Sequence, residues 1–447
     1  MSLALTAPWR RVTGLPPVLP AVAVLALLAL PVTPAGAGPA DVVSGLMVVY
    51  CLVRLVRDRR RPLSPGAAVV LGLPVAGLAL AAMGASSTAA GFDGLGRYLQ
   101  IFVLVPTAVL LLIRGRADFR LLAWSFVGLA LWQGALGVHQ YVTGTGASYQ
   151  GQEIRAVGTF GAHDVMGMAS VVALGLVCAV GIALGRAPVR QRAAAAGCAL
   201  VLLLPLALSF SRGAWIATAL TCAVQLVLAG ARRALKAGAA LAAAGVILVG
   251  GAGVGTALLQ ERIDSIARVA DAPDQSVVDR YTLWASATGI WREHPLTGVG
   301  LKGFPQHRDG HATLALSSGA EIAGAGAAYQ RQALLSPHNM YLLVLSEQGL
   351  VGLLGLVGSW LALLVCALRG LWRSRGRGPV PDCALVACGL LLWLLTDFAY
   401  GDIGGPSTVL TGMALGLVAW WALAGGERGD TVPPSGTPER AEEVVTR

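Results

Sequence analysis

A short polar stretch, Ser336-Pro337-His338-Asn339, closes the one long hydrophilic segment that lies between apolar runs of this chain. A histidine at this place could meet water, a lipid headgroup and the mouth of a helical bundle. Arg212 and Arg280 are predicted to lie on the same side of the membrane as His338. A neutral imidazole can act as a general base, and guanidinium groups bind phosphate oxygens in bidentate fashion. The three side chains therefore indicate chemistry on a lipid-linked phosphate.

Each of these three residues also has a purely structural interpretation. Ser336 as N-cap and Pro337 at the first helical position predict a helix that begins here. His338 would then lie in the first turn, where the helix dipole disfavours protonation by about 0.3–1 kcal/mol, or it would only cap or pack at the end of a span. Arg212 lies at the outer junction of two apolar spans, which is a costly place for a charge, and its guanidinium could instead snorkel to headgroups. Arg280 opens a predicted interfacial helix whose free amides could share an anion with it, or it is a solvated loop arginine.

Four further residues are weaker candidates. Arg155, just before the predicted sixth span, could bind an anion. Glu347 lies within a span, so it should face protein or a cavity, where it could pair with an arginine. Asp397 and Asp402 flank a predicted outer loop and could bind a cation or a sugar. The chain has no Gly-rich phosphate loop, metalloprotease motif or metal-spaced His/Cys cluster, and its seven cysteines lie in or beside predicted spans, so we expect no metal site and no cofactor.

The composition decides which elements must position these residues. The chain has 447 residues, of which 55% are hydrophobic and 13% charged, against roughly 25% charged residues in soluble domains. Its mean hydropathy is +0.69. We predict an all-α membrane protein of about twelve transmembrane helices, each near the ~20 residues that a bilayer requires. The predicted spans are 15–34, 40–56, 66–85, 95–113, 119–139, 162–185, 193–210, 213–230, 236–259, 338–368, 382–398 and 406–424. The tenth of them is long enough to be tilted or kinked.

The placement of charge predicts the orientation. The net charge of +10 does not indicate a nucleic-acid partner, because the basic residues mark the ends of apolar runs instead of gathering on one surface. If the N-terminus is cytoplasmic, alternate loops carry the basic clusters at 57–61, 114–116, 186–192 and 369–377. This positive-inside pattern predicts a multi-pass protein of the cytoplasmic membrane with both termini in the cytoplasm.

The predicted organisation has five parts. They are a cytoplasmic N-terminus at 1–14, nine transmembrane helices within 15–259, a large extracytoplasmic loop at 260–337, three transmembrane helices within 338–424, and a disordered cytoplasmic tail at 425–447. The large loop is predicted to contain short amphipathic helices. One spans 279–294, with Asp279 as its N-cap and tryptophans suited to the bilayer interface. The Ala-, Gly- and Ser-rich segment 311–332 reads as a mobile loop.

The order of several short motifs points to a known family. The motifs are Ser211-Arg212-Gly213, then Arg280 followed by His294-Pro295-Leu296-Thr297-Gly298-Val299-Gly300, then Pro337-His338-Asn339 leading to Glu347-Gln348-Gly349-Leu350-Val351-Gly352. Together with the large loop between the ninth and tenth spans, this order resembles the O-antigen ligase and O-antigen polymerase superfamily of bacterial membrane glycosyltransferases. The resemblance covers residues from about 150 to 355.

The resemblance implies a function as well as a fold. The donor would be a glycan on an undecaprenyl diphosphate carrier, and the acceptor a hydroxyl of a glycan, lipid or protein at the outer face of the membrane. Family roles place catalysis on His338, Arg280 and Arg212, with Arg155 as a further contact to the diphosphate. The expected reaction is a single displacement at the anomeric carbon, with no metal and no nucleotide sugar. The expected partners are this donor, the acceptor and membrane lipids, and no nucleic acid.

Other functions remain open at this level. A ligase and a polymerase share the chemistry and differ only in the acceptor. A transporter such as a polysaccharide flippase also fits about twelve spans, but it predicts charged residues near the membrane midplane and internal repeats, which the sequence does not show convincingly. A non-catalytic membrane scaffold leaves the outward arginines and His338 without a role.

Overall fold

The computed structural model describes residues 16–31, 38–58, 63–149, 155–230, 235, 275–317, 320–324, 330–332, 334–375 and 379–424. The predicted N-terminal segment 1–14, the predicted ninth span at 236–259 and the predicted tail at 425–447 lie outside the described residues. The domain boundaries given above therefore stay predictions.

Helices account for most of the described residues, as the composition predicts. They are α1 Leu19–Leu27, α2 Pro39–Asp58, α3 Pro65–Met83, α4 Thr88–Leu99, α5 Val105–Leu112, α6 Arg116–Thr143, α7 Gly167–Leu184, α8 Val189–Leu208, α9 Arg212–Ala229, α10 Gln275–Glu293, α11 Phe304–Arg308, α12 Met340–Arg375, α13 Asp382–Asp397 and α14 Val409–Leu423. A π-helical turn, Gln100–Leu104, joins α4 to α5 into one rod.

Eight of these rods are long and apolar enough to cross a membrane. They are α2, α3, the α4–α5 rod, α6, α7, α8, α9 and α12. Three further predicted spans correspond to the shorter helices α1, α13 and α14, of 9, 16 and 15 residues. The prediction of a helical, multi-pass membrane protein is confirmed, whereas the total of about twelve spans stays a prediction.

Helix α7 forms the centre of the bundle. In its apolar window 83% of the residues are buried inside the protein, against 22% for the peripheral α2 and α8. Gly175 of α7 lies so close to α6 that a Cβ atom there would stand 2.2 Å from the Cβ of Ala130. Small residues let membrane helices approach closely. Close approach increases the van der Waals contact that holds membrane helices together.

Helix α12 is interrupted at Gly349, so of the tilt or kink that its length predicts the structure shows a break in the helix. Gly349 has φ 64° and ψ −163°, a conformation that is essentially restricted to glycine. The helical hydrogen bonds that the break removes are replaced by bonds to a loop. The amides of Leu350 and Val351 donate to the carbonyls of Pro295 and Leu296 at 2.9 and 3.2 Å.

The loop returns two hydrogen bonds of its own to the same break. The amides of Val299 and Gly300 donate to the carbonyls of Ser346 and Glu347 at 3.0 and 2.9 Å. We call this double exchange between 295–300 and 346–351 the backbone clasp. It satisfies backbone polar groups that would be costly to leave unpaired inside an apolar helical bundle.

The two ends of the bundle differ in chemistry. The basic end carries 113–116, 185–188 and 379–382. There the guanidinium of Arg120 binds the buried carboxylate of Asp382 at 2.5 Å and the carbonyl of Arg186 at 2.9 Å. The guanidinium of Arg375 donates to the carbonyl of Leu228 at 2.8 Å. Basic residues that the sequence assigns to alternate loops thus meet at one end.

The opposite end, which we call the site end, carries the described residues of 144–149, 155–166, 209–211, 294–317, 334–339 and 398–408. A small antiparallel sheet lies there, with strands β1 Ala147–Tyr149, β2 Ala320–Gly324 and β3 Gln330–Gln332 in the order β1-β2-β3. The prediction of a mobile loop over 311–332 is therefore wrong for β2 and β3. Strand β2 is held by hydrogen bonds to β1, which is distant in the chain, and β3 pairs with β2. The local content of Ala, Gly and Ser does not reveal such pairing.

The amphipathic helix of the large loop is present, but its start was misplaced. Helix α10 begins at Gln275, so Asp279 lies inside it instead of capping it. The Asp279 side chain is buried, and its carboxylate is satisfied there by hydrogen bonds from the amide and hydroxyl of Ser317 at 2.8 and 2.6 Å. The apolar face is as predicted, with Leu283 and Ile290 buried against α11 and the start of α12.

Candidate active site

His338 lies just before α12, in a strained conformation. The helix begins at Met340, and its N-cap is Asn339, whose side-chain oxygen accepts from the amide of Leu342 at 3.0 Å. The prediction that Ser336 caps the helix and that His338 lies in its first turn is wrong. His338 has φ 48°, in the left-handed region that costs most residues roughly 1–2 kcal/mol.

The turn 398–402, which follows α13, holds His338 in this conformation. The amide of Met340 donates to the carbonyls of Phe398 and Gly401 at 2.8 and 3.0 Å. The side-chain amide of Asn339 donates to the carbonyl of Ala399 at 3.1 Å. Three hydrogen bonds on the two residues after His338 offset the strain, so the imidazole is presented by an anchored bend and not by a helical turn.

Asp402 lies beside the imidazole. Its carboxylate side chain is 7% exposed, and Oδ2 stands 3.8 Å from Nδ1 of His338. The same oxygen accepts a hydrogen bond from the Ser336 hydroxyl, while Oδ1 accepts from the amide of Gly404 at 2.9 Å. At 3.8 Å the pair is not hydrogen bonded, but a protonated His338 would be attracted to this carboxylate. The sequence signal for Asp402 was only a carboxylate in a short outer loop, interpreted as a cation or sugar ligand.

The surroundings of His338 favour the neutral form of its imidazole. The side chain is 45% exposed, yet the segments around it remove enough hydration that desolvation is the largest effect and lowers its pKa. Asp402 acts in the opposite direction and raises the pKa, and the positive charge of Arg280 lowers it further. The net direction is downward from the ordinary value, which suits a base that must be unprotonated before it accepts a proton.

Arg280 acts electrostatically on His338, but not from the position that the sequence suggests. It lies in the second turn of α10, so the free amides at the helix N-terminus are not next to it, and the prediction of a shared anion site there is wrong. Its guanidinium lies within electrostatic range of both His338 and Asp397. Arg280, His338, Asp397 and Asp402, from three separate elements, thus share one polar region.

Arg212 flanks the same turn from another helix. It is the first residue of α9, whose N-cap Ser211 accepts from the amide of Ala214 at 3.3 Å. The next residue, Gly213, packs on Tyr400, because a Cβ atom at Gly213 would stand 3.3 Å from the Tyr400 Cβ. Since Tyr400 belongs to the turn that anchors His338, the start of α9 lies directly against that turn.

Arg155 lies at the site end of the bundle, beside strand β1. It forms an antiparallel bridge with Ala147, with the Arg155 amide donating to the Ala147 carbonyl at 2.7 Å. The amide of Ala156 donates to the carbonyl of Leu208 at the end of α8. The backbone of Arg155 is therefore tied to strand β1 and to the segment that leads into Arg212.

The remaining acidic residues have structural partners. Asp164 accepts from the amide and hydroxyl of Ser407 at 3.2 and 2.7 Å, which fixes the loop after Asp402. Glu347 is buried and accepts from the amide of Phe304 at 3.3 Å. The expectation that Glu347 faces protein is confirmed. The partner of its carboxylate in this contact is a backbone amide. Among the described residues, no group of three or more His, Cys, Asp or Glu side chains is arranged to hold a metal ion.

The fold and this site together define a multi-pass helical membrane protein with a polar site built from loop segments at one end of its bundle. Residues 196–357 match the family model described as O-antigen ligase. The match confirms the resemblance to the O-antigen ligase and polymerase family, whose members are glycosyltransferase-like membrane enzymes. The matched segment includes Arg212, Arg280 and His338, and it does not reach Arg155 or Asp402. A search of the curated proteins gave no match.

Proposed function

We propose that this protein transfers a glycan from a polyprenyl diphosphate carrier to an acceptor hydroxyl at the outer face of the cytoplasmic membrane. The observation that carries the proposal is the meeting of Arg280, His338 and Asp402, from three segments far apart in the chain, at one end of an apolar bundle. A base, a cation and an orienting carboxylate at a membrane surface suit a substrate with a lipid anchor, a diphosphate and a sugar.

The proposed step is a single displacement at the anomeric carbon of the donor sugar. The acceptor oxygen forms a bond to that carbon, and the bond from the carbon to the phosphate oxygen breaks, with its electron pair leaving on the diphosphate. Nε2 of His338 accepts the proton of the acceptor hydroxyl, and Asp402, which faces Nδ1, stabilises the imidazolium that forms. Arg280 and Arg212 neutralise the charge that develops on the departing diphosphate. One displacement predicts inversion at this carbon.

The segregation of charge supports the proposed orientation. Basic residues gather at the end opposite the site, and a basic end is retained in the cytoplasm by the positive-inside rule. The site end would then face outward, with both termini in the cytoplasm. The activated bond arrives on the lipid, so the proposed reaction needs neither a nucleotide sugar nor a metal. Ligation to another lipid or a protein and polymerisation onto another glycan both satisfy this chemistry.

The test is transfer from a lipid-linked glycan by purified variants. We expect His338→Ala, Arg280→Ala and Arg212→Ala each to lower turnover by about a hundredfold or more, since each removes a proton acceptor or a charge aimed at the leaving group. Arg373→Ala, an exposed arginine in the last turn of α12, is the matched control and should keep full turnover. Near-normal turnover in all three site variants would overturn the proposal. Movement of the lipid-linked glycan across the bilayer without transfer would support a transporter instead.

A further inference from the structure

One side chain joins the helix that carries Arg280 to the bend that carries His338. The indole Nε1 of Trp284 donates a hydrogen bond to the carbonyl of Pro337 at 2.9 Å. Pro337 immediately precedes His338, so this bond fixes the peptide plane from which the strained His338 bend begins. Arg280 and Trp284 are four residues apart in α10 and therefore project from the same face of that helix.

The indole itself is firmly placed. Trp284 packs edge-on against Tyr281, with ring centroids 5.6 Å apart and planes at 80°. The next residue back along the helix, Leu283, is fully buried in the small apolar cluster with Phe304 and Leu343. Helix α10 is thus rigidly seated, and a single hydrogen bond transmits its position to the residue before His338.

We propose that Trp284 is a positioning residue, which sets the separation between Arg280 and His338 and so between the diphosphate and the attacking hydroxyl. The inference rests on the proposed function. Transfer requires the base and the phosphate-binding group to be correctly positioned at the same time, because small misplacements of reacting groups lower the rate strongly. Trp284 itself touches neither reacting atom in this scheme.

The substitution Trp284→Phe tests this role. It keeps an aromatic ring on Tyr281 but removes the N–H that holds the carbonyl of Pro337. We expect kcat to fall about tenfold or more, with KM for the lipid-linked donor within about twofold of the unaltered enzyme, since the arginines that bind the diphosphate remain.

A matched control exists in the same helix. Trp291 lies in the last turn of α10. Its indole also donates to a proline carbonyl, that of Pro295, at 3.3 Å. Trp291→Phe removes an equivalent N–H without altering the contact between α10 and the His338 bend. We expect Trp291→Phe to keep kcat within about twofold of the unaltered enzyme.

The acid limb of kcat/KM gives a second readout that does not depend on the folded fraction. The charged groups that face His338 are Arg280 from α10 and Asp402 from the turn after α13. If Trp284→Phe lets Arg280 move away, the pKa of His338 rises and the acid limb moves to higher pH. An unmoved acid limb together with a kcat within twofold overturns the inference. If Trp284→Phe gives that result while His338→Ala and Arg280→Ala are each inactive, the proposed function stands and only the role of Trp284 fails.

Discussion

The backbone clasp makes a sharp prediction at Gly349. In Gly349→Ala the new methyl group would stand 2.3 Å from the carbonyl carbon and oxygen of Leu296. These are backbone atoms, so no side-chain rotation relieves the overlap. The residue would also be forced into a conformation that alanine avoids, with φ 64° and ψ −163°.

The magnitude follows from these two effects. The backbone conformation alone costs about 1–3 kcal/mol for a residue other than glycine. Relief of the overlap requires the loop to move, which breaks the bonds from Leu350 to Pro295 and from Val351 to Leu296, each contributing about 1 kcal/mol. We therefore expect Gly349→Ala to lower the free energy of unfolding by about 3–5 kcal/mol.

The assay is reversible unfolding of the purified protein by SDS titration from mild detergent micelles. Gly358→Ala in the same helix is the control, because its nearest neighbour would be the Leu73 Cδ1 at 3.9 Å, an ordinary contact. An alanine there should be neutral or stabilise by up to about 1 kcal/mol. If Gly349→Ala unfolds within about 0.5 kcal/mol of this control, the clasp does not contribute as argued.

A double-mutant cycle tests whether the clasp acts as one unit. Gly298, on the loop side, also has a positive φ of 65°, and a Cβ there would stand 2.3 Å from the carbonyl carbon of Glu347. Once one substitution has displaced the loop, the second has less left to disrupt. The combined loss should therefore fall short of the sum of the single losses by about 1 kcal/mol or more, and simple additivity would contradict a shared clasp.

Three further outcomes are expected. The acid limb of kcat/KM should lie below the ordinary histidine pKa of about 6.5, because desolvation and Arg280 lower the pKa of His338. An acid limb above that value would refute this expectation. By SDS titration, Glu347→Leu should lose about 1–3 kcal/mol by leaving a buried amide without its acceptor, whereas Glu347→Gln keeps an oxygen and should lose less; equal losses would argue against the hydrogen bond. Arg120→Ala should lose about 3 kcal/mol, since the Asp382 side chain, 2% exposed, is left without its cation, and a neutral result would show that other groups compensate.

The site illustrates which inferences a sequence supports. Arg280 and His338 could be selected because a permanent charge or an imidazole at a membrane boundary is costly and is chemically useful there. Asp402 was selected only as a weak cation or sugar ligand, because nothing in its local sequence shows that the turn after α13 folds back beside His338. The N-cap assignment at Ser336 failed because hydrogen bonds from Asn339 and Met340 to the turn 398–402 fix the start of α12. The assignment at Asp279 failed because this residue lies inside α10, where its carboxylate accepts hydrogen bonds from Ser317.

The motif around Glu347 and Gly349 was recognised in the sequence, but its physical role appears only in the fold. In the sequence these residues, two positions apart, read as a buried acid and one glycine of a family motif. In the structure they form one half of the backbone clasp, and the other half lies some fifty residues earlier in the chain. The resemblance located the two motifs, and their mutual hydrogen bonds explain why the polar loop can enter an apolar bundle.

The sequence by itself determined the membrane class, most of the helices and the end of the bundle at which the basic residues collect. These features follow from local hydrophobicity and charge, because burial in lipid acts on each segment separately. Only the tertiary structure decided the strained bend at His338, the neighbouring Asp402, the clasp at Gly349 and the bond from Trp284 to Pro337. Each of these depends on contacts between segments that are distant in the chain, which local patterns do not encode.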